Sequence, residues 1–342
     1  MAIGGPKGPE EGEAEGEYRE MKAIIAKPPF HLVWLDTWAV SEITAALTKG
    51  KSSNSKINKA WAEALMKQIA ALRKAGKIVV PIGDQLREIE TGGLSIDEVH
   101  RTLADMSAGV SLRDQKTVKD LQTFRTMEVV ASSNAECKYP WEDLFDDPDE
   151  VANPGALRVS VHLSSPELIM LRRATLIGNA KVWEYLRQEC VAHGIKSASR
   201  LALELDGPLQ AARLSLNPKK DLLLMLGHIT NVSQPLEMLR SAGGGSTVDD
   251  LLKFLKSDEF KQTPAIRIKA ELIAEKLTSS ELIKRSDSTD IDEISSALPF
   301  CSVMVMDTAM RDKVKDKLKL AAKYGVQVIN LADLPAALAA LT

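Results

Sequence analysis

The chain has 342 residues, 44% of them hydrophobic and 27% charged, enough apolar surface for a sizeable core, which excludes global disorder. Its 44 Lys and Arg against 47 acids give a net charge of −3, which excludes a uniformly basic nucleic-acid coat but leaves room for a local basic groove. Aromatics at 4% argue against base stacking as the main device, and no apolar run of about 18 residues predicts a membrane span.

Residues 1–29 open with GGPKGPEEGEAEGE and no apolar leader-like core. This composition buries too little to offset its ordering entropy and predicts a flexible lead. His31-Leu-Val-Trp-Leu-Asp36 is a short apolar run ending in a carboxylate, the length of a buried strand. Thr37 to Leu47 has helical character. From Lys56 to Ala75 the apolar residues Ile57, Trp61, Leu65, Ile69 and Leu72 recur every three or four positions, one face of an amphipathic helix. Gly76 ends it, where a left-handed residue is favoured. Lys77 to Ile82 is a second apolar run, so the order strand–helix–strand opens a parallel α/β sheet. Asp84 is placed to cap the helix that follows.

From about Ser95 to Lys276 helical periodicity dominates, with breaks at Tyr139-Pro140, Asn153-Pro154-Gly155, Asn217-Pro218 and Gly243-Gly244-Gly245. No repeat of 20 to 50 residues is present. The α/β rhythm then returns. Asp290 to Leu298 reads as helix, Ser302 to Asp307 as a third apolar run ending in a carboxylate, and Thr308 to Tyr324 as a basic amphipathic helix. Val326 to Leu331 follows as a fourth strand and Asp333 to Leu341 as a closing helix. Both ends of the chain therefore build the sheet: 30–95 and 262–342 form an α/β domain, and 96–261 is a large, mainly helical insertion.

Cys137, Cys190 and Cys301 are far apart, and the five histidines make no HExxH or Cys/His ladder. No zinc site is expected, and a reducing, cytoplasmic setting fits the cysteines best.

The acids are more informative. In an open parallel sheet, ligands sit off the carboxyl ends of the strands where strand order reverses. Asp36 and Asp307 each end an apolar run and would stand at that edge. Glu88 and Glu90 follow the second strand, about 200° apart on a helix, so one of the two can face the edge. Asp290 and Asp292 precede the third strand and present the same choice. Carboxylates that converge repel each other unless a cation joins them, and all-oxygen ligands favour Mg²⁺ or Mn²⁺ over zinc. The alternative, that each acid is a separate cap or surface residue, stays open.

These segments resemble a known family. VWLDT around Asp36, VVPIGDQLREIE with Glu88, and TDIDEISSALPFCSVMVMDT with Asp290 and Asp307 are similar to the PIN-like nucleases, PilT N-terminal-type domains of Rossmann-like class. LPFCSVMVMD resembles that family's passage into its last active-site acid, and YGVQVINLADL its closing strand and helix. The resemblance covers about 31–95 and 262–341. It implies a Rossmann-like parallel sheet and metal-dependent hydrolysis of phosphodiester bonds, usually of RNA, by a carboxylate cluster holding Mg²⁺ or Mn²⁺. Position by position it assigns Asp36, Glu88, Asp290 and Asp307 as catalytic metal ligands, with Glu90, Asp292 and Asp312 as second choices. The long segment between Glu88 and Asp290 departs from a compact PIN-like domain. It offers a lid, a substrate-recognition block or a surface for a protein partner.

A nuclease also needs cations for the phosphate chain. Arg267, Lys269 and Arg311 are the candidates, against the plainer reading of a solvated charged face. Trp34 and Trp38 flank Asp36 and are expected in the core, and His31 is expected to be structural. A haloacid-dehalogenase-like phosphatase would need an acid where Trp38 stands, and no glycine-rich phosphate loop follows Asp36. The remaining rival is a PIN-like scaffold that binds a protein or nucleic acid without cleaving it.

Overall fold

The structure is a computed structural model and describes residues 21–50, 52–53, 56–83, 85, 96–148, 151, 165–216 and 222–341. It is mixed α/β, mainly helical, around a four-stranded parallel sheet. The sheet strands are β2 (His31–Leu35), β3 (Ile78–Val79), β5 (Val303–Val305) and β6 (Gln327–Ile329), in the order β3-β2-β5-β6. A separate two-stranded parallel pair joins β1 (Lys22–Ile25) to β4 (Glu136–Tyr139).

Alternation along the central strands builds two cores, because successive side chains leave a strand on opposite faces. Val33, Leu35, Val303 and Val305 face one side. There they meet α1 (Thr37–Lys49), α2 (Lys59–Lys74), α3 (Ile96–Ser107) and the last helix, Leu334–Ala340. Leu32, Trp34, Met304 and Met306 face the other side. Their partners include α4 (Gln115–Ala131), β4, and three helices of the late chain: Pro264–Thr278, Asp287–Ala297 and Leu320–Tyr324. A third, purely helical core holds Met127, Leu209, Leu239, Leu251, Phe254 and Phe260.

Between α4 and the late helices runs α5 (Pro166–Ala192), followed by α6 (Ser197–Ser215) and α7 (Leu222–His228). A π-helical turn, Ile229–Ser233, leads into α8 (Gln234–Ser241). Next come α9 (Val248–Lys256), α10 (Asp258–Gln262), α11 (Pro264–Thr278) and α12 (Asp287–Ala297). Beyond β5 lie α13 (Thr308–Asp312), α14 (Leu320–Tyr324) and, after β6, α15 (Leu334–Ala340).

The expected elements at 31–36, 56–75, 290–298 and 326–331 are present with shifted ends. Gly76 adopts φ +68° just after Ala75, the C-cap of α2, the left-handed position its place in the sequence suggested. Four readings differ. The lead expected over residues 1–29 is ordered from Met21 on, where Met21 is buried and Lys22–Ile25 pairs in register with Glu136–Tyr139, while residues 1–20 lie outside the described residues. That pairing also puts a strand inside the stretch read as helical. Cys137 and Tyr139 turn inward while Glu136 and Lys138 face solvent, an alternation too short to stand out in sequence. The strand expected over Lys77–Ile82 stops at Val79, since Pro81 lacks an N–H for the ladder. The helix expected over Thr308–Tyr324 is broken by a π-turn at Lys313–Lys317 and by Lys319, which takes φ +54°.

The region 96–261 is also not uniform. Val118, Tyr139, Leu144 and Phe145 share one core with Trp34 and Met304, so its first third packs on the sheet. Among the described residues no helix is long and apolar enough to cross a membrane, and the three cysteines are buried and unpaired.

Candidate functional site

The strand order reverses between β2 and β5: the neighbour of β2 on its other side is β3, and that of β5 is β6. This is the crevice position in an open parallel sheet. Leu35 stands opposite Val305 in register, and the Asp36 N–H donates to the Val305 carbonyl at 3.0 Å. Asp36 and Asp307 therefore leave neighbouring strands at the same edge, one residue apart in register.

Each aspartate also starts a helix. Asp36 Oδ1 accepts from the Trp38 N–H at 3.2 Å, capping α1. Asp307 Oδ1 accepts from the Met310 N–H at 2.8 Å, capping α13. The strand-to-helix turn thus needs an acceptor, and the side-chain oxygen satisfies one of the orphan N–H groups of the first turn. Both residues are half-buried. A carboxylate held this way is oriented before any ligand arrives.

A third residue at this edge was not singled out in the sequence. Gln85 is fully buried. Its Nε2 donates to the Leu35 carbonyl at 2.8 Å, and its Oε1 accepts from the Gly83 N–H at 2.5 Å. The chain leaving β3 is thereby tied across the end of β2. The only sequence signal is a polar residue directly after an apolar run. Glu88 and Glu90, which follow it, lie outside the described residues, as does Asp84.

The other candidates are placed as follows. Asp290 lies in the first turn of α12, where its N–H donates to the Ser286 carbonyl at 2.9 Å. Asp292 is paired with Lys269 at 2.5 Å. Lys119 is close to both of them, and its pKa is lowered, first by burial. Asp312 pairs with Arg311 at 2.7 Å, and Arg267 with Glu271 at 2.5 Å. So the three candidate phosphate contacts each hold a carboxylate. Two of those carboxylates, Asp292 and Asp312, were themselves second choices for the metal. Among the described residues no group of three or more His, Cys, Asp or Glu could hold a metal ion.

The opposite edge of the sheet has different chemistry. An open pocket of about 650 Å³ is lined there by residues including Lys27, His31, Lys77 and Ser302. His31 Nδ1 lies 3.2 Å from Ser302 Oγ, and Lys27 Nζ donates to the Cys301 carbonyl at 2.9 Å. Burial lowers the Lys27 pKa and pushes the Cys301 thiol up to about 12, so that cysteine stays protonated near neutrality. Trp34 is buried in the core, and Trp38 packs against the other face of the sheet. No family model, curated protein or solved structure matches the chain significantly.

Proposed function

We propose that the edge carrying Asp36 and Asp307 is the active site of a metal-dependent nuclease with a PIN-like, Rossmann-like architecture, hydrolysing RNA in preference to DNA. The observation that carries this reading is the placement of the two aspartates, at the ends of adjacent strands where the strand order reverses. The donor set suits a small hard cation, since Mg²⁺ is commonly held by one or two carboxylates with water and substrate phosphate completing its shell. Bound there, Mg²⁺ or Mn²⁺ would supply an activated water and offset charge on the phosphate. Asp36 and Asp307 would hold it, with Asp290 and Glu88 as the further ligands that the resemblance implies.

The chain's own contribution is orientation and charge. The helix caps fix the rotamers of both aspartates. Arg311, on the turn after Asp307, together with Arg267 and Lys269 on α11, is proposed to contact the phosphate chain. The Lys269 and Arg311 ion pairs are partly exposed, a class worth about 0–1 kcal/mol, so an incoming phosphate can displace their carboxylates. The three reduced, buried cysteines support a cytoplasmic setting.

The test is Mn²⁺-dependent cleavage of single-stranded RNA by the wild type and by Asp36→Asn and Asp307→Asn. Asparagine keeps the capping oxygen, so the fold is retained while a ligand charge is lost. A fall of about 100-fold or more is expected, because even outer-shell changes at metal sites cost about 10–100-fold. Equal activity in all three proteins would sink the mechanism. A second reading, a scaffold that binds without cleaving, is favoured by one observation: the described acids do not gather into a group of three. Metal-independent RNA or protein binding with no cleavage would select it.

A further inference from the structure

The helix α5 has two apolar faces, and the described residues cover one of them. Trp183, Leu186 and Cys190 pack into the core beside α11 and α12. Glu184 accepts from the Ile283 N–H at 3.2 Å, and Arg187 donates to the Ser279 carbonyl at 3.3 Å. These contacts anchor the C-terminal third. From Glu167 to Val182 no side chain is buried. Leu168, Leu171, Val182 and Tyr185 are 48%, 64%, 58% and 61% exposed.

These four positions belong to one seam. Leu168, Leu171, Thr175, Gly178, Val182 and Tyr185 follow each other at alternating spacings of three and four, the a/d pattern by which one helix packs on another. Met170 and Ile177, also exposed, stand outside it, each two positions after a seam residue. The seam's flanking positions carry three charges, Glu167 and Lys181 on one side and Arg172 on the other. A helix apolar on both sides is expected to be covered on both sides.

We propose that this seam pairs with the same seam of a second copy, antiparallel, about a two-fold axis between Leu176 and Ile177. Three features select a second copy as the occupant. The seam reads alike in both directions, large residues outside and small ones at the centre. Reversal about that axis sets Leu168 against the partner's Tyr185, Leu171 against the partner's Val182, and Thr175 against the partner's Gly178. Self-complementarity of this kind is what an isologous interface requires.

The second feature is Gly178. Glycine inside a helix costs roughly 0.5–1 kcal/mol relative to alanine, yet a Cβ at this position would touch nothing among the described residues. Close approach of another helix at the centre of the seam gives it a reason. Thr175 fits the same place, because its hydroxyl already donates to the Leu171 carbonyl at 2.9 Å and its methyl is left for the seam. The third feature is area. The four large seam side chains offer roughly 100 Å² apiece, so two copies bury about 800 Å² through them, with the flanking side chains adding to it, the size of a small, reversible interface. The pairing does not depend on the nuclease reading.

The experiment uses the full chain. Light scattering after size exclusion, at tens of micromolar, is expected to give twice the mass of the chain. The double variant Leu171→Glu/Val182→Glu is expected to run as a monomer with unchanged circular dichroism, since both positions are exposed within one chain. A monomeric wild type at that concentration overturns the proposal, as does a double variant that stays dimeric. Orientation is read by disulfide capture, which does not rely on that variant folding. Leu168→Cys and Tyr185→Cys copies, mixed and oxidised, are expected to cross-link to each other, and each alone to stay unlinked. Linking within either single variant, with none between them, signifies parallel packing and also overturns the proposal.

Discussion

The strand β2 and the helix α5 are both rich in apolar residues, and they spend them differently. In β2, Leu32, Val33, Trp34 and Leu35 are all almost fully buried, because a layer of helices lies on each face of the sheet. Among the described side chains of α5, only Arg187 and Cys190 are buried, and one apolar face is exposed. A strand buried on both faces has no freedom left for recognition, so chemistry can appear only at its end, where Asp36 stands. A helix covered on one face keeps the other as a surface.

That contrast can be broken by substitution, starting with the largest effect. Trp34→Ala should cost about 3–5 kcal/mol in urea unfolding, as expected for a large side chain removed from a packed core. A loss under about 1 kcal/mol would mean that β2 is not sandwiched as described. The next effect sharpens the comparison through pH. Glu184, bonded to Arg187 and to the Ile283 N–H, is held down to about 2. Its folded value lies below the unfolded value of about 4.3, so its contribution is full above that pH and is lost as pH falls towards 2. The protection of the α5 amides, their exchange taken relative to the intrinsic rate at each pH, is therefore expected to fall between about pH 4.3 and 2 before that of the central strands. Glu184→Gln should remove that pH dependence of the helix.

Smaller effects follow on the surface. Lys269→Met breaks the half-exposed pair with Asp292 and should change stability by less than about 1 kcal/mol, read by thermal melting. Its effect on RNA affinity should exceed its effect on stability if Lys269 contacts phosphate. The smallest change is Leu171→Ala. Measured at concentrations too low for pairing, it should stay within about 0.5 kcal/mol, and a larger loss would show that this face is covered within the chain.

Much of the sheet was legible. The helix over Lys59–Lys74 announced itself through the apolar stripe Trp61, Leu65, Ile69 and Leu72 and a glycine just beyond its end, and the strands at 31–35 and 303–305 through compact apolar runs. The two edge aspartates were legible for the same reason, as carboxylates closing runs that had to be buried. Other features gave no such signal. The pairing of β1 with β4 joins residues 114 apart at its bonded pair Lys22–Glu136, and neither strand is long enough to show a period. Asp292 and Lys269 look like independent charges until α11 and α12 pack side by side. Gln85 reads as a loop residue until its side chain is seen closing over the end of β2.

The order of apolar runs and helices determined by itself that a parallel sheet is built from both ends of the chain with acids at its carboxyl edge, because burial and periodicity are local properties of the sequence. Which strands are neighbours, which acids are tied up by lysine or arginine, and which face of α5 is left open were decided only by tertiary structure. Each of these depends on distances between residues far apart in sequence, and no local pattern encodes a distance.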